Sequence, residues 1–139
     1  MLRQIKHIFW TVRTYSDLSP DLYIRKQVNQ ILCERADLSL DEWFKCFWKY
    51  REISFAVVSF VYIQLEKYSG LQMGRVLPGD RLEQDLQLTL VSWFDWNLYL
   101  CDDFFDEFGI DIGDRFDLQT MATVEDLVLC LHRLTCPPS

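Results

Sequence analysis

Apolar residues recur along this chain at the steps of three and four that put them on one face of a helix. Leu2, Ile5, Phe9 and Val12 share such a face, with Ile8 beside them and Arg3, Lys6 and Arg13 elsewhere, so 2–15 is predicted to be an amphipathic basic helix. Leu22, Val28, Ile31 and Leu32 carry an interrupted stripe ending near Ala36, with Ser19 as its expected cap and Pro20 in its first turn. Ser39 and Glu42 form a capping box that opens a third helix, whose body is aromatic: Trp43, Phe44, Phe47, Trp48 and Tyr50. Residues 53–69 are rich in β-branched and aromatic types that suit a strand. Their length, Lys67 near the end and Gly70 after it predict a buried helix instead.

A connection over 71–88 follows, turning at Pro78-Gly79, with Val76, Leu82 and Leu86 expected to plug it onto the core. The next helix is predicted to run unbroken from near Thr89 or Ser92 to Phe108. Leu98, Cys101, Phe105 and Phe108 form its apolar stripe, and Trp93, Trp96 and Leu100 widen the band. Gly109 ends it, because glycine enters the left-handed conformation without steric penalty. A short helix is expected over 114–120. The last one starts at Thr123, with Asp126 completing a capping box and Val124, Leu127, Val128 and Leu131 as its buried face. Pro137-Pro138 stops the pattern.

Composition supports an all-α fold. Half of the 139 residues are hydrophobic, and only five glycines and four prolines interrupt them. The net charge of −7 argues against a nucleic-acid partner, which needs a basic surface. That charge is concentrated: from Asp80 to Leu131, 13 acids face only Arg81 and Arg115, a local −11. Such a surface attracts a basic partner, although charged helix faces also serve solubility.

Catalytic chemistry is hard to assemble from what remains. The five cysteines contain no CxxC pair for zinc and are odd in number for a disulfide scaffold; Cys101 and Cys130 fall on apolar stripes, and Cys136 is expected to be exposed. His7 and His132 belong to no metal-binding or nucleophile-activating spacing, and His132 is placed to meet the C-terminal dipole of the last helix. The acids from Asp102 to Asp114 do not follow calcium-loop order. The expectation is a protein without enzymatic activity or metal. The longest apolar run, Ile53 to Leu65, is too short to cross a bilayer, which takes about 20 residues. With no signal-peptide pattern at the N-terminus, a cytoplasmic, reducing location is expected.

The helix ending in Asp-Glu-Phe-Gly-Ile-Asp-Ile, the short acidic connection and Ala-Thr-Val-Glu-Asp-Leu-Val resemble the last two thirds of an acyl carrier protein. Tyr68-Ser69-Gly70 looks like the end of that family's first helix, and Asp80, Leu82 and Glu83-Gln84-Asp85-Leu86 like the loop before its second. The resemblance covers about 51–136. It implies a four-helix acyl-carrier-like bundle there, with 1–50 as an N-terminal helical extension, similar to small bacterial carrier-like proteins of unknown function.

Carriers attach phosphopantetheine to the serine of an Asp-Ser-Leu motif, and this chain has none. Counting forward from Asp85-Leu86 the serine's place falls on Leu90, and counting back from Phe108 it falls on Phe94, because four extra residues separate these landmarks. Ser92 lies between, flanked by Val91 and Trp93. The resemblance therefore implies a non-catalytic interaction module that presents its acidic second helix to a basic protein partner, through Asp95, Asp102, Asp103, Asp106 and Glu107. Two alternatives stay open. One is a working acyl or peptidyl carrier with phosphopantetheine on Ser92, the only cofactor any of these readings involves. The other is a helical adaptor or chaperone that takes an amphipathic peptide on the aromatic segment 43–50, unless those rings simply cover the core.

Overall fold

The computed structural model describes residues 19–136. The helix expected over 2–15, His7 and the terminal Pro137-Pro138 lie outside the described residues. Within them the chain is all-α, with helices α1 (Leu22–Leu32), α2 (Leu40–Phe47), α3 (Phe55–Ser69), α4 (Leu88–Val91), α5 (Trp96–Phe108) and α6 (Val124–Thr135). Single 3-10 turns occur at Lys49–Arg51, Met73–Arg75 and Leu118–Thr120. Strand-like pairing among the described residues is confined to one isolated bridge, Arg81 to Thr123.

Side-chain caps open three of the six described helices, α1, α2 and α6. Ser39 Oγ accepts the Glu42 N–H at 3.2 Å while the Glu42 carboxylate accepts the Ser39 N–H at 2.9 Å, closing the predicted box on α2. Thr123 and Asp126 do the same for α6, at 3.2 and 3.1 Å. Helix α1 is capped two residues later than expected. Asp21, not Ser19, accepts the N–H groups of Tyr23 and Ile24, since a carboxylate next to the first turn is the stronger acceptor. The α3 segment is a helix despite its strand-like composition, and it ends at Gly70 with φ of +70°.

One core spans the described chain on both sides of position 50. Val28, Leu32, Trp43 and Trp48 join Val57, Val61 and Leu65 of α3 and Val124, Leu127, Val128 and Leu131 of α6. Trp43 is fully buried, donates its indole N–H to the Val76 carbonyl at 2.8 Å, and packs its ring 5.5 Å from Trp48 and 5.3 Å from Tyr62. The connection from 71 to 87 carries Val76, Leu82 and Leu86 into the core as expected, together with Leu71 and Met73. It is fastened at both sides: Arg35 grips Asp80 through both terminal nitrogens at 2.6 and 3.1 Å, and the Leu82 N–H reaches the Ala122 carbonyl at 2.9 Å.

The unbroken helix expected before Phe108 is not formed. Helix α4 stops at Val91, Ser92 is extended with φ −110° and ψ 177°, and α5 restarts at Trp96. The carbonyls that would carry the helix forward are taken by α1 and its cap. The Asp21 N–H takes Leu90 O at 2.7 Å, and the Arg25 guanidinium takes Val91 O at 2.7 and 3.3 Å. Those acceptors are the ones that the Phe94 and Asp95 N–H groups would use in a continued helix, so the contacts from α1 compete with its propagation.

The buried stripe of α5 also differs from the expected one. Trp96, Leu100 and Phe104 are buried; Cys101 and Phe108 only flank them, and Phe105 is 53% exposed. Phe104 and Phe108 both contact Phe60, at 5.4 and 5.6 Å between ring centroids. In the last turn of α6, His132 Nδ1 accepts the Ser54 N–H at 3.3 Å, so this ring also ties the helix to the start of α3.

Candidate functional site

Asp102, Asp103, Asp106 and Glu107 all stand on α5, in its second half. Asp102, Asp106 and Glu107 are exposed, and Phe105 lies exposed among them. Asp103 is partly buried and accepts the Tyr68 hydroxyl. Asp102 and Asp106 are four residues apart, as are Asp103 and Glu107, spacings that place like charges next to each other.

The position of these acids runs against helix electrostatics. The C-terminal end of a helix carries partial negative charge and favours cations. Helix α6 obeys this, with Glu125 and Asp126 in its first turn and His132 and Arg133 in its last, and α2 obeys it with Asp41, Glu42 and Lys45. Helix α5 has no acid in its first turn and no base in its last. Asp106 and Glu107 make no ion pair among the described residues. Their placement costs stability that no ion pair among the described residues restores.

Ser92 and Asp95 are not brought to this surface. Ser92 is 1% exposed and Asp95 3%, both in the corner between α4 and α5. The Ser92 hydroxyl, both Asp95 carboxylate oxygens and the Trp96 indole nitrogen are buried there without a hydrogen-bond partner. A buried polar group in that condition is costly, so the corner is a weak point of the fold.

The aromatic segment divides. Trp43 and Trp48 are fully buried, Phe44 and Phe47 are half-buried, and Tyr50 is exposed. Cys101 and Cys130 are half-buried, and burial pushes the Cys101 thiol up to about 11, with Asp102 and Asp111 adding to the shift. It is therefore protonated and unreactive near neutral pH. Cys33, Cys46 and Cys136 are exposed. No group of three or more metal-ligating side chains gathers among the described residues, and no helix there is long and apolar enough to cross a membrane.

Beside α5 lies a cavity of about 370 Å³ that the sequence pattern did not single out. Trp96, Tyr99 and Asp103 line it from α5, Trp93 from the corner, Lys67 and Tyr68 from α3, and Pro20 and Arg25 from the α1 end. The spacing of positions 93, 96, 99 and 103 is a helical stripe, but only the fold adds the two cations from distant segments. Comparison of the chain with family models, with curated proteins and with solved structures returns no match.

Proposed function

We propose that this chain is a non-catalytic, acyl-carrier-like interaction module in which α5 is presented to a basic protein partner. The order of α3, a long fastened connection, α5, a short turn and α6 supports the carrier-like part of this reading. The observation that carries the functional part is the pair of exposed acids in the last turn of α5, Asp106 and Glu107, beside an exposed phenylalanine. Residues that lower the stability of their own helix are retained most simply because they work on something else.

The burial of Ser92 favours the module over the phosphopantetheine carrier, because a modifying enzyme must reach that hydroxyl. Burial of Trp43 and Trp48 likewise leaves the aromatic segment little to offer a peptide. The partner surface has Lys and Arg around an apolar centre, to meet Asp102, Asp106, Glu107 and Phe105.

The test uses a synthetic amphipathic Leu/Lys peptide, titrated calorimetrically against the protein and two variants of equal charge. Asp102→Asn/Asp106→Asn should weaken binding by about tenfold, or ~1.4 kcal/mol, while Asp114→Asn/Asp117→Asn should leave it nearly unchanged. Equal losses from both pairs would mean that only net charge matters, and the proposed face would be wrong. Intact-mass measurement after incubation with coenzyme A and a broad-specificity phosphopantetheinyl transferase addresses the carrier alternative. A mass gain that disappears in Ser92→Ala would replace the module with a carrier.

A further inference from the structure

Helix α5 has a second apolar edge that the described fold leaves partly open. Leu98, Cys101, Phe105 and Phe108 recur at steps of three and four, yet Leu98, Cys101 and Phe108 are only half-buried and Phe105 is exposed. Asp106 and Glu107 stand exposed beside Phe105, without an ion pair among the described residues. Asp102 already has a further partner. The helix contains no basic residue. A helix that covers this edge needs an apolar stripe of its own and positive charge beside it.

One segment of this chain has that chemistry. Residues 2–15 place Leu2, Ile5, Phe9 and Val12 on one face, and carry Arg3, Lys6 and Arg13 with no acid. They lie outside the described residues, which begin at Ser19, and that point of entry is next to α5. Pro20 shares a cavity wall with Trp96 and Tyr99, and the Asp21 N–H donates to Leu90 O at 2.7 Å. The connection over 16–18 reaches about 10 Å when extended. Lengths also match, since 2–15 as a helix spans about 21 Å and the 13 residues of α5 about 20 Å.

We propose that the basic segment 2–15 docks along the outer edge of α5, antiparallel to it, with Phe9 and Ile5 over Leu98 and Phe105 and with Lys6 and Arg3 toward Asp106 and Glu107. Counted at about 1.5 Å per residue from the shared end, Lys6 lies ~13 Å along the segment and Asp106 ~15 Å along α5, so the charges fall level. This direction also brings the positive N-terminal end of the segment to the acid-bearing C-terminal end of α5. A tether this short gives the segment an effective concentration on the order of 1 mM, so it competes with a basic partner for the same face. That competition rests on the proposed function; the docking itself does not.

Lys6 is the sole lysine before Ser19, so zero-length carbodiimide coupling of the full chain, followed by peptide mass mapping, reads the contact directly. The expected product is a monomer with Lys6 joined to Asp106 or Glu107. Its yield should fall at least about fivefold in Ile5→Ser/Phe9→Ser, which removes apolar contact and leaves the charges unchanged. Coupling of Lys6 chiefly to acids elsewhere, such as Asp41 or Glu83, coupling only between two copies, or no coupling of Lys6 would each overturn the docking. The amphipathic Leu/Lys peptide then reads the competition by calorimetry, and Ile5→Ser/Phe9→Ser should bind it severalfold more tightly than the parent. Equal affinity would overturn the competition. Failure of the peptide to bind either protein would instead overturn the proposed function, with the coupling result still deciding the docking.

Discussion

If the acids of α5 are kept for a partner, removing one should make the protein more stable while weakening the interaction. Asp106 is the clearest case, because it lies in the last turn of α5, is exposed and makes no ion pair among the described residues. A negative charge at that end opposes the helix dipole by about 0.3–1 kcal/mol, and its repulsion with Asp102 four residues earlier adds roughly 0.2–0.5 kcal/mol. Asparagine has nearly the same helix propensity as aspartate, so Asp106→Asn isolates the charge. The expected gain is about 0.5–1.5 kcal/mol. Asp106→Lys should gain roughly twice that, because repulsion becomes an attraction with the acid on the N-terminal side of the pair.

Urea denaturation at low ionic strength reads this directly as a raised midpoint with an unchanged slope. Repeating it at about 1 M salt, where the screening length falls to ~3 Å, should remove most of the gain. An unchanged or lowered midpoint at low salt would refute the electrostatic reasoning. A gain that survives high salt would show that something other than charge is responsible. Stabilised variants that bind the basic peptide as well as the parent would leave the acids without the role proposed for them.

Elsewhere the fold makes sharper demands. Arg35→Met leaves Asp80, 7% exposed, with only the Leu77 N–H as a partner, and should cost about 2–3 kcal/mol in chemical denaturation; a loss below ~1 kcal/mol would mean that water replaces the arginine. Gly74→Ala puts a Cβ 2.1 Å from the Leu38 carbonyl oxygen, so the loop before α2 must move, and a loss of about 2 kcal/mol or more is expected in the same assay. Thr123→Ala removes the acceptor for the Asp126 N–H and should lower stability by about 1 kcal/mol; an unchanged midpoint would show the cap to be dispensable. The Ala122 N–H, then the Thr123 N–H and hydroxyl, hold the Asp126 carboxyl below its ordinary range despite partial desolvation. Its contribution is therefore complete above the unfolded value near 4 and is lost as pH falls through the lower folded value; Asp126→Asn should flatten that acid limb, and an unaltered limb would disprove the assignment.

What could be read from sequence was what neighbouring residues decide. The boxes at Ser39 and Thr123 close within four residues, and the glycine stops at Gly70 and Gly109 need no tertiary partner. The α6 stripe was equally legible, since its apolar residues have a single face to bury. The α5 stripe was not, because apolar residues occur around most of that helix. Only the packing of Phe60 against Phe104 and Phe108 selects which of them turn inward. Asp95 illustrates the same limit: an aspartate read as a surface contact is enclosed by a corner that no local pattern announces.

That corner is where the segment before position 50 acts on the rest. The four residues from 92 to 95 that leave the helix are as many as the excess between Asp85-Leu86 and Phe108 in the carrier-like spacing. Asp21 and Arg25, from the α1 end, hold the two α4 carbonyls that would otherwise propagate a helix through them. The same grip turns Ser92 inward and brings Arg25 to the aromatic cavity. Helix α1 thus helps to set the corner between α4 and α5. Under the proposed function this corner stands where the carrier resemblance expects an exposed helix start, and Asp106 and Glu107 in the last turn of α5 are the acids left for the proposed partner.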